Sequence, residues 1–129
     1  MKRLFLVVLF MFGYEPGYAG WITIEKQYQP TGLETVYFDP NTIHRKGGRA
    51  TLWQLTDMKW NSTTRFLSSK THKEFDCEGS RVRVLQVIEF SRQMGSGRPS
   101  AGYIENGGWQ PIEALSANQA LLKAACEPH

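Results

Sequence analysis

The chain has 129 residues, 41% of them hydrophobic, with 15 Lys and Arg against 12 Asp and Glu and a formal net charge of +3. That length suits one domain around a single core. So slight a basic excess excludes a dedicated nucleic-acid binder, which would concentrate its cations in a stripe.

Lys2 and Arg3 open the chain, residues 4–12 are an unbroken apolar run, and Gly17-Tyr18-Ala19 puts small residues where a signal peptidase inspects. This is the three-part form of a bacterial-type secretory signal peptide, cleaved after Ala19. A membrane anchor would need about 20 apolar residues, and the run is roughly half that. Residues 20–129 then form the mature domain, expected to be soluble. Losing Lys2, Arg3 and Glu15 leaves it 13 basic and 11 acidic residues. No cysteine stands near the cleavage point to accept a lipid.

Strand signals follow. Trp21-Ile22-Thr23-Ile24 is aromatic and β-branched, and Gln29-Pro30-Thr31-Gly32 breaks it. Val36-Tyr37-Phe38 is a second run, closed by the turn Asp39-Pro40-Asn41-Thr42. Gly47-Gly48 then makes a two-residue hairpin turn, which pairs Lys46 with Arg49, Arg45 with Ala50, His44 with Thr51 and Ile43 with Leu52. The return strand runs through Trp53 and Leu55 to about Met58. Residues 60–64 read as a loop, in which Asn61-Ser62-Thr63 fits a glycosylation sequon only by coincidence in a bacterial-type exported chain.

A second hairpin turns at Glu78-Gly79, with Cys77 facing Ser80. It sets Asp76 opposite Arg81, Glu74 opposite Arg83, and Phe75 opposite Val82. Two opposite-charge pairs thus share one face and an apolar pair the other. A one-residue slip would undo all three matches. Leu85, Val87, Ile88 and Phe90 make both faces of the outgoing strand apolar, as in a central strand covered on both sides. Residues 93–99 are turn-rich, Ala101-Gly102-Tyr103-Ile104 returns as a short strand, and Gly107 to Pro111 is irregular. A final helix starts at Ser116, an N-cap with Gln119 completing a capping box and Leu115 stapled on Ala120. Leu122 and Cys126 share one of its faces.

Cys77 and Cys126 are the only cysteines. An even count in an exported protein reads as a disulfide. Two buried thiols or half a metal site are the alternatives, but zinc would want two further Cys or His ligands at suitable spacing.

Taken together, Trp21, Tyr37-Phe38-Asp39-Pro40, Thr42-Ile43, Arg45-Lys46-Gly47, Trp53-Gln54-Leu55, Ser69-Lys70, Glu74-Phe75-Asp76-Cys77, Arg81-Val82-Arg83, Met94-Gly95-Ser96-Gly97 and Leu121 to Cys126 resemble the surface-adhesin protein E family of exported bacterial proteins. The match covers nearly all of the mature chain, in order. The resemblance implies an α+β domain: an antiparallel β-sheet meander with a C-terminal helix packed on it and one disulfide tying the two. It also implies a non-enzymatic role at the cell envelope, the name-giving member being an adhesin that binds host proteins. The missing lipid-accepting cysteine departs from a surface-anchored adhesin, and a soluble periplasmic small-ligand-binding or structural protein is the alternative.

No residues form an activated nucleophile, so no enzyme and no cofactor are expected. His72, Glu74 and Asp76 alternate on one face, but the cross-strand arginines claim both carboxylates, leaving no metal site. His44 has no second ligand. Met94 to Arg98 lacks the strand, helix and lysine of a phosphate loop and reads as a plain flexible turn. Trp60 and Trp109 lie in predicted loops and are the expected exposed aromatics. With Arg45, Lys46, Arg49, Arg81 and Arg83 they form a candidate surface for a protein partner, host or envelope. An exposed edge strand also allows a homodimer.

Overall fold

The computed structural model describes residues 20–59, 66–104 and 107–127. The signal segment, and Trp60 with the sequon beside it, lie outside the described residues. The strands are β1 (Ile22–Thr23), β2 (Glu34–Phe38), β3 (His44–Lys46), β4 (Arg49–Met58), β5 (Ser68–Asp76), β6 (Arg81–Phe90), β7 (Pro99–Ile104) and β8 (Gln110–Pro111). Among the described residues one α-helix, α1 (Ala117–Cys126), follows them. All pair antiparallel in a single sheet of order β1-β2-β4-β5-β6-β7. β3 also pairs with β4, and β8 with β6.

The first hairpin takes the expected register, with Lys46 opposite Arg49, Arg45 opposite Ala50 and His44 opposite Thr51. The ladder stops there, so Ile43 and Leu52 do not pair. At Ile43 the chain is leaving a short 3₁₀ turn, Pro40–Thr42, fixed by the Asn41 amide donating to Asp39 Oδ1 at 2.9 Å. That corner lets β2 and β3 share one edge of β4.

The second hairpin also pairs as the charges dictate, with Asp76 opposite Arg81, Phe75 opposite Val82 and Glu74 opposite Arg83. Its turn is longer than two residues. The Cys77 amide donates to Gly48 O at 2.9 Å rather than pairing with Ser80, and Ser80 takes the left-handed φ of 52°. Between His72 and Lys73 the register shifts by one residue. β6 is central in the sheet, but the expectation that it is covered on both faces is not met: between Val82 and Phe90 its residues are only half-buried. The helix packs chiefly on β3, β4 and β5.

Alternation assigns the faces. Ala50, Leu52, Phe75 and Val82 point to one side, where they meet Val36, Ile24, Tyr28, Leu121 and Ala125. Leu52, Phe75 and Leu121 are fully buried, each contributing about 1.5–3 kcal/mol relative to exposure. Tyr28 reaches this core from a 3₁₀ turn, Lys26–Tyr28, of which the break at Pro30 gives no sign.

The helix starts at Ser116, whose Oγ accepts the Gln119 amide at 3.2 Å. The return bond of the capping box goes one residue further back, to the Leu115 amide, which donates to Gln119 Oε1 at 2.8 Å. The expected staple does not form: Leu115 has φ 60° and is 65% exposed. At the other end Cys126 is bonded to Cys77, their Cα atoms 5.7 Å apart. Closing a loop of this length disfavours the unfolded chain by about 4 kcal/mol in the chain-entropy model.

Candidate functional site

The face opposite the helix carries the charge. Direct cross-strand partners project to the same side, which sets Lys46, Arg49, Asp76 and Arg81 in one row. His44, Thr51, Glu74 and Arg83 form the next, and Trp53 and His72 a third. β8 adds the decisive element. Pro111 pairs with Arg81 and Gln110 with Val82, so Trp109, one step earlier, arrives over Arg83.

Three guanidinium groups surround that indole. The carbons of Arg83, Arg49 and Arg81 lie 4.6, 4.9 and 5.0 Å from the Trp109 ring centroid. All three are within the distance at which a cation is attracted by the ring face. Carboxylates hold them from beneath. Arg83 donates to Glu74 Oε1 through Nε at 2.8 Å and Nη2 at 2.7 Å. Arg81 donates to Asp76 Oδ2 through Nη2 at 2.6 Å and Nε at 3.2 Å. Arg49 lies 3.7 Å from Glu74 Oε2. The hydrogen bond from Arg81, helped by the Gly79 amide, keeps the Asp76 carboxyl below its ordinary pKa.

The layering gives the cluster its sign. The side chains of Glu74 and Asp76 are 16% and 15% exposed, against 48%, 44% and 36% for Arg49, Arg81 and Arg83. Three cations therefore present outward over two carboxylates, already aligned by ion pairs and ring contacts. Such groups lose little further freedom on meeting an anionic surface, and arginine's planar fork suits bidentate capture of a carboxylate.

The expected surface residues thus separate. Arg49, Arg81, Arg83 and Trp109 come together, with Lys46 exposed at the rim beside Arg49. Trp109 itself is half-buried, because the arginines cover it. Arg45 belongs elsewhere. Opposite Ala50 it points to the helix face, where its Nε donates to Ala125 O at 2.6 Å and its Nη2 to Glu127 O at 2.7 Å. It caps the helix C-terminus.

Next to the cluster, His72 lies flat on Trp53, ring centroids 4.7 Å apart and planes 5° apart. Burial lowers its pKa, opposed by Glu74 and assisted by His44. Farther along, Lys70 Nζ sits 5.1 Å from the Phe90 ring and 5.7 Å from Trp21. Sequence reasoning misses both arrangements, although strand alternation does place Trp53 and His72 on the arginine face. Among the described residues no group of three His, Cys, Asp or Glu could hold a metal.

The Met94-Gly95-Ser96-Gly97 segment is not a loose turn. The Met94 amide donates to Asp57 Oδ1 at 2.6 Å and the Gly95 amide to Ser68 Oγ at 2.8 Å. Gly95 has φ 70°, and a Cβ there would lie 2.6 Å from Lys70 Cε. The segment packs over that end of the arginine face, and the Met94, Gly95 and Ser96 amides are satisfied by protein.

The model of the surface-adhesin protein E family matches residues 21–127. No curated protein matches the chain. Crystal form II of Haemophilus influenzae protein E is similar at 11% identity and a TM-score of 0.60, covering 84% of this chain and 87% of its own. The selenomethionine form of the same protein gives 12% identity and a TM-score of 0.59, covering 84% and 86%. A third structure of it gives 12% and 0.55, covering 83% and 85%. At such identities the structures speak to the fold alone. The family match is made on sequence and spans nearly all the residues after position 20: the chain belongs to the surface-adhesin protein E family.

Proposed function

We propose that this protein is exported through a signal peptide cleaved after Ala19 and acts, without catalysis, as an envelope binding module. It recognises another protein by the face carrying Arg49, Arg81, Arg83 and Trp109. The observation that carries this reading is the outward layer of three pre-aligned guanidiniums around one indole, above two mostly covered carboxylates. Tryptophan and arginine are the residues most often dominant in protein interfaces. A partner suited to this face presents acidic side chains around an apolar contact.

The test is capture on the immobilised protein from envelope extract and from host matrix proteins, with Trp109→Ala and Arg81→Ala/Arg83→Ala variants alongside. A partner held by the wild type and lost by both variants supports the reading. Equal capture by all three overturns it. Protease treatment of intact cells separates surface display, where the protein is cleaved, from the periplasmic alternative, where it is protected.

A further inference from the structure

Lys73 lies on the other side of the sheet and has no part in the arginine cluster. It stands between Leu52 and Val84 in the ladder, so its side chain enters the layer between sheet and helix. Its Nζ donates to Asn118 Oδ1 at 2.7 Å, in the first turn of α1. Among the described residues it forms no ion pair with a carboxylate. An ammonium can donate three hydrogen bonds, and here a neutral amide takes one of them. Desolvation alone lowers its pKa to about 8, with no nearby charge contributing. The residue as a whole is half-buried, so part of its side chain still reaches solvent.

Lys73 lines a cavity of about 230 Å³. Val82 and Val84 supply apolar wall, and Arg83, whose guanidinium is held by Glu74 on the opposite face, completes the lining with Gly107, Gly108, Gln110 and Asn118. The volume is below the usual range for drug-sized ligands and equals the share of roughly seven or eight waters. An unpaired cation, two valines and little room define a compact amphipathic anion.

We propose that this cavity binds a small carboxylate, with the Lys73 ammonium pairing the carboxyl group and Val82 and Val84 receiving a short apolar tail. The carboxylate can belong to a free short-chain acid or to an acidic side chain of a peptide. Either would give the lysine an opposite charge that the described residues do not supply.

The experiment is an NMR titration of the full protein, carrying ¹³C label at lysine Cε and valine methyls. The probes are butyrate and a blocked Ala-Glu-Ala tripeptide, with chloride at matched ionic strength. Bound carboxylate is expected to move the Lys73 titration midpoint upward from about 8 by about one unit or more, as an opposite charge at contact does. The Val82 and Val84 methyls should shift at the same concentrations. A response to butyrate alone identifies a free acid as the source, and a response to the tripeptide alone identifies a side chain. Lys73→Met should abolish the methyl shifts while partner capture by the arginine face persists. No change in Lys73 or the two valines at tens of millimolar probe overturns the proposal, as does an equal response to chloride. The wild-type titration decides between these outcomes by itself, even where the variant fails to fold.

Discussion

Arg45→Met tests whether the hairpin's alternation assigns side chains as described. The guanidinium makes two short bonds to helix carbonyls, at 2.6 Å to Ala125 and 2.7 Å to Glu127, and a long one of 3.4 Å to Ala124. A hydrogen bond with one charged partner contributes about 1.5–3 kcal/mol. The Nη2 contacts are exposed, so the lower end applies, and the two short bonds together give about 2–3 kcal/mol. Lost attraction to the helix C-terminus adds roughly 0.5 kcal/mol. For a domain of this size a loss of about 3 kcal/mol lowers Tm by about 12 °C. Denaturant and thermal unfolding, followed by far-ultraviolet circular dichroism with the disulfide intact, measure it. Lys46→Met is the control, an exposed neighbour on the opposite face whose loss should stay within about 0.5 kcal/mol. Equal effects of the two substitutions would refute the assignment of Arg45 to the helix cap.

Reduction of Cys77–Cys126 should lower unfolding free energy by about 4 kcal/mol, read from denaturant midpoints with and without reductant; an unchanged midpoint contradicts the clasp. Lys73 makes stability rise with alkaline pH. Its folded pKa is lowered to about 8 from 10.5, so between those values the unfolded chain binds more protons and folding gains as pH increases. Lys73→Met should therefore be more stable than the wild type near pH 7, the advantage shrinking toward pH 10.5, as midpoints at a series of pH values will show. Gly95→Ala introduces a Cβ at 2.6 Å from Lys70 Cε in a left-handed residue. About 1–3 kcal/mol should be lost, measurable by thermal unfolding, whereas Gly47→Ala meets no atom within 4 Å and bears only the backbone term.

What can be read from sequence is whatever local chemistry determines. The Asp76–Arg81 and Glu74–Arg83 pairs and the Ser116 cap depend on residues a few positions apart, and those are legible. The register shift at His72 and Lys73 is not, since no glycine or proline marks it and the apolar run through Leu85 and Ile88 suits either register. Every member of the arginine–tryptophan cluster stands out as a candidate in the sequence, but only the two-residue β8 brings Trp109 to the arginines, and so short a pairing leaves no periodic trace. Arg45 is different, because its place follows from the hairpin register itself. Facing Ala50, it must share the helix side with that residue, whatever its charge suggests. The same alternation puts Lys73 with Thr71 and Phe75.

The covering helix is also the last described element in chain order, and its far end carries both the sulfur link to the second hairpin and the carbonyls gripped by Arg45. During synthesis, Leu52 and Phe75 must therefore wait uncovered until residues 117–126 have emerged. The sheet can assemble early, but it is sealed late, and the covalent part of the seal needs an oxidant. Full stability is thereby reached only under conditions that oxidise the two thiols.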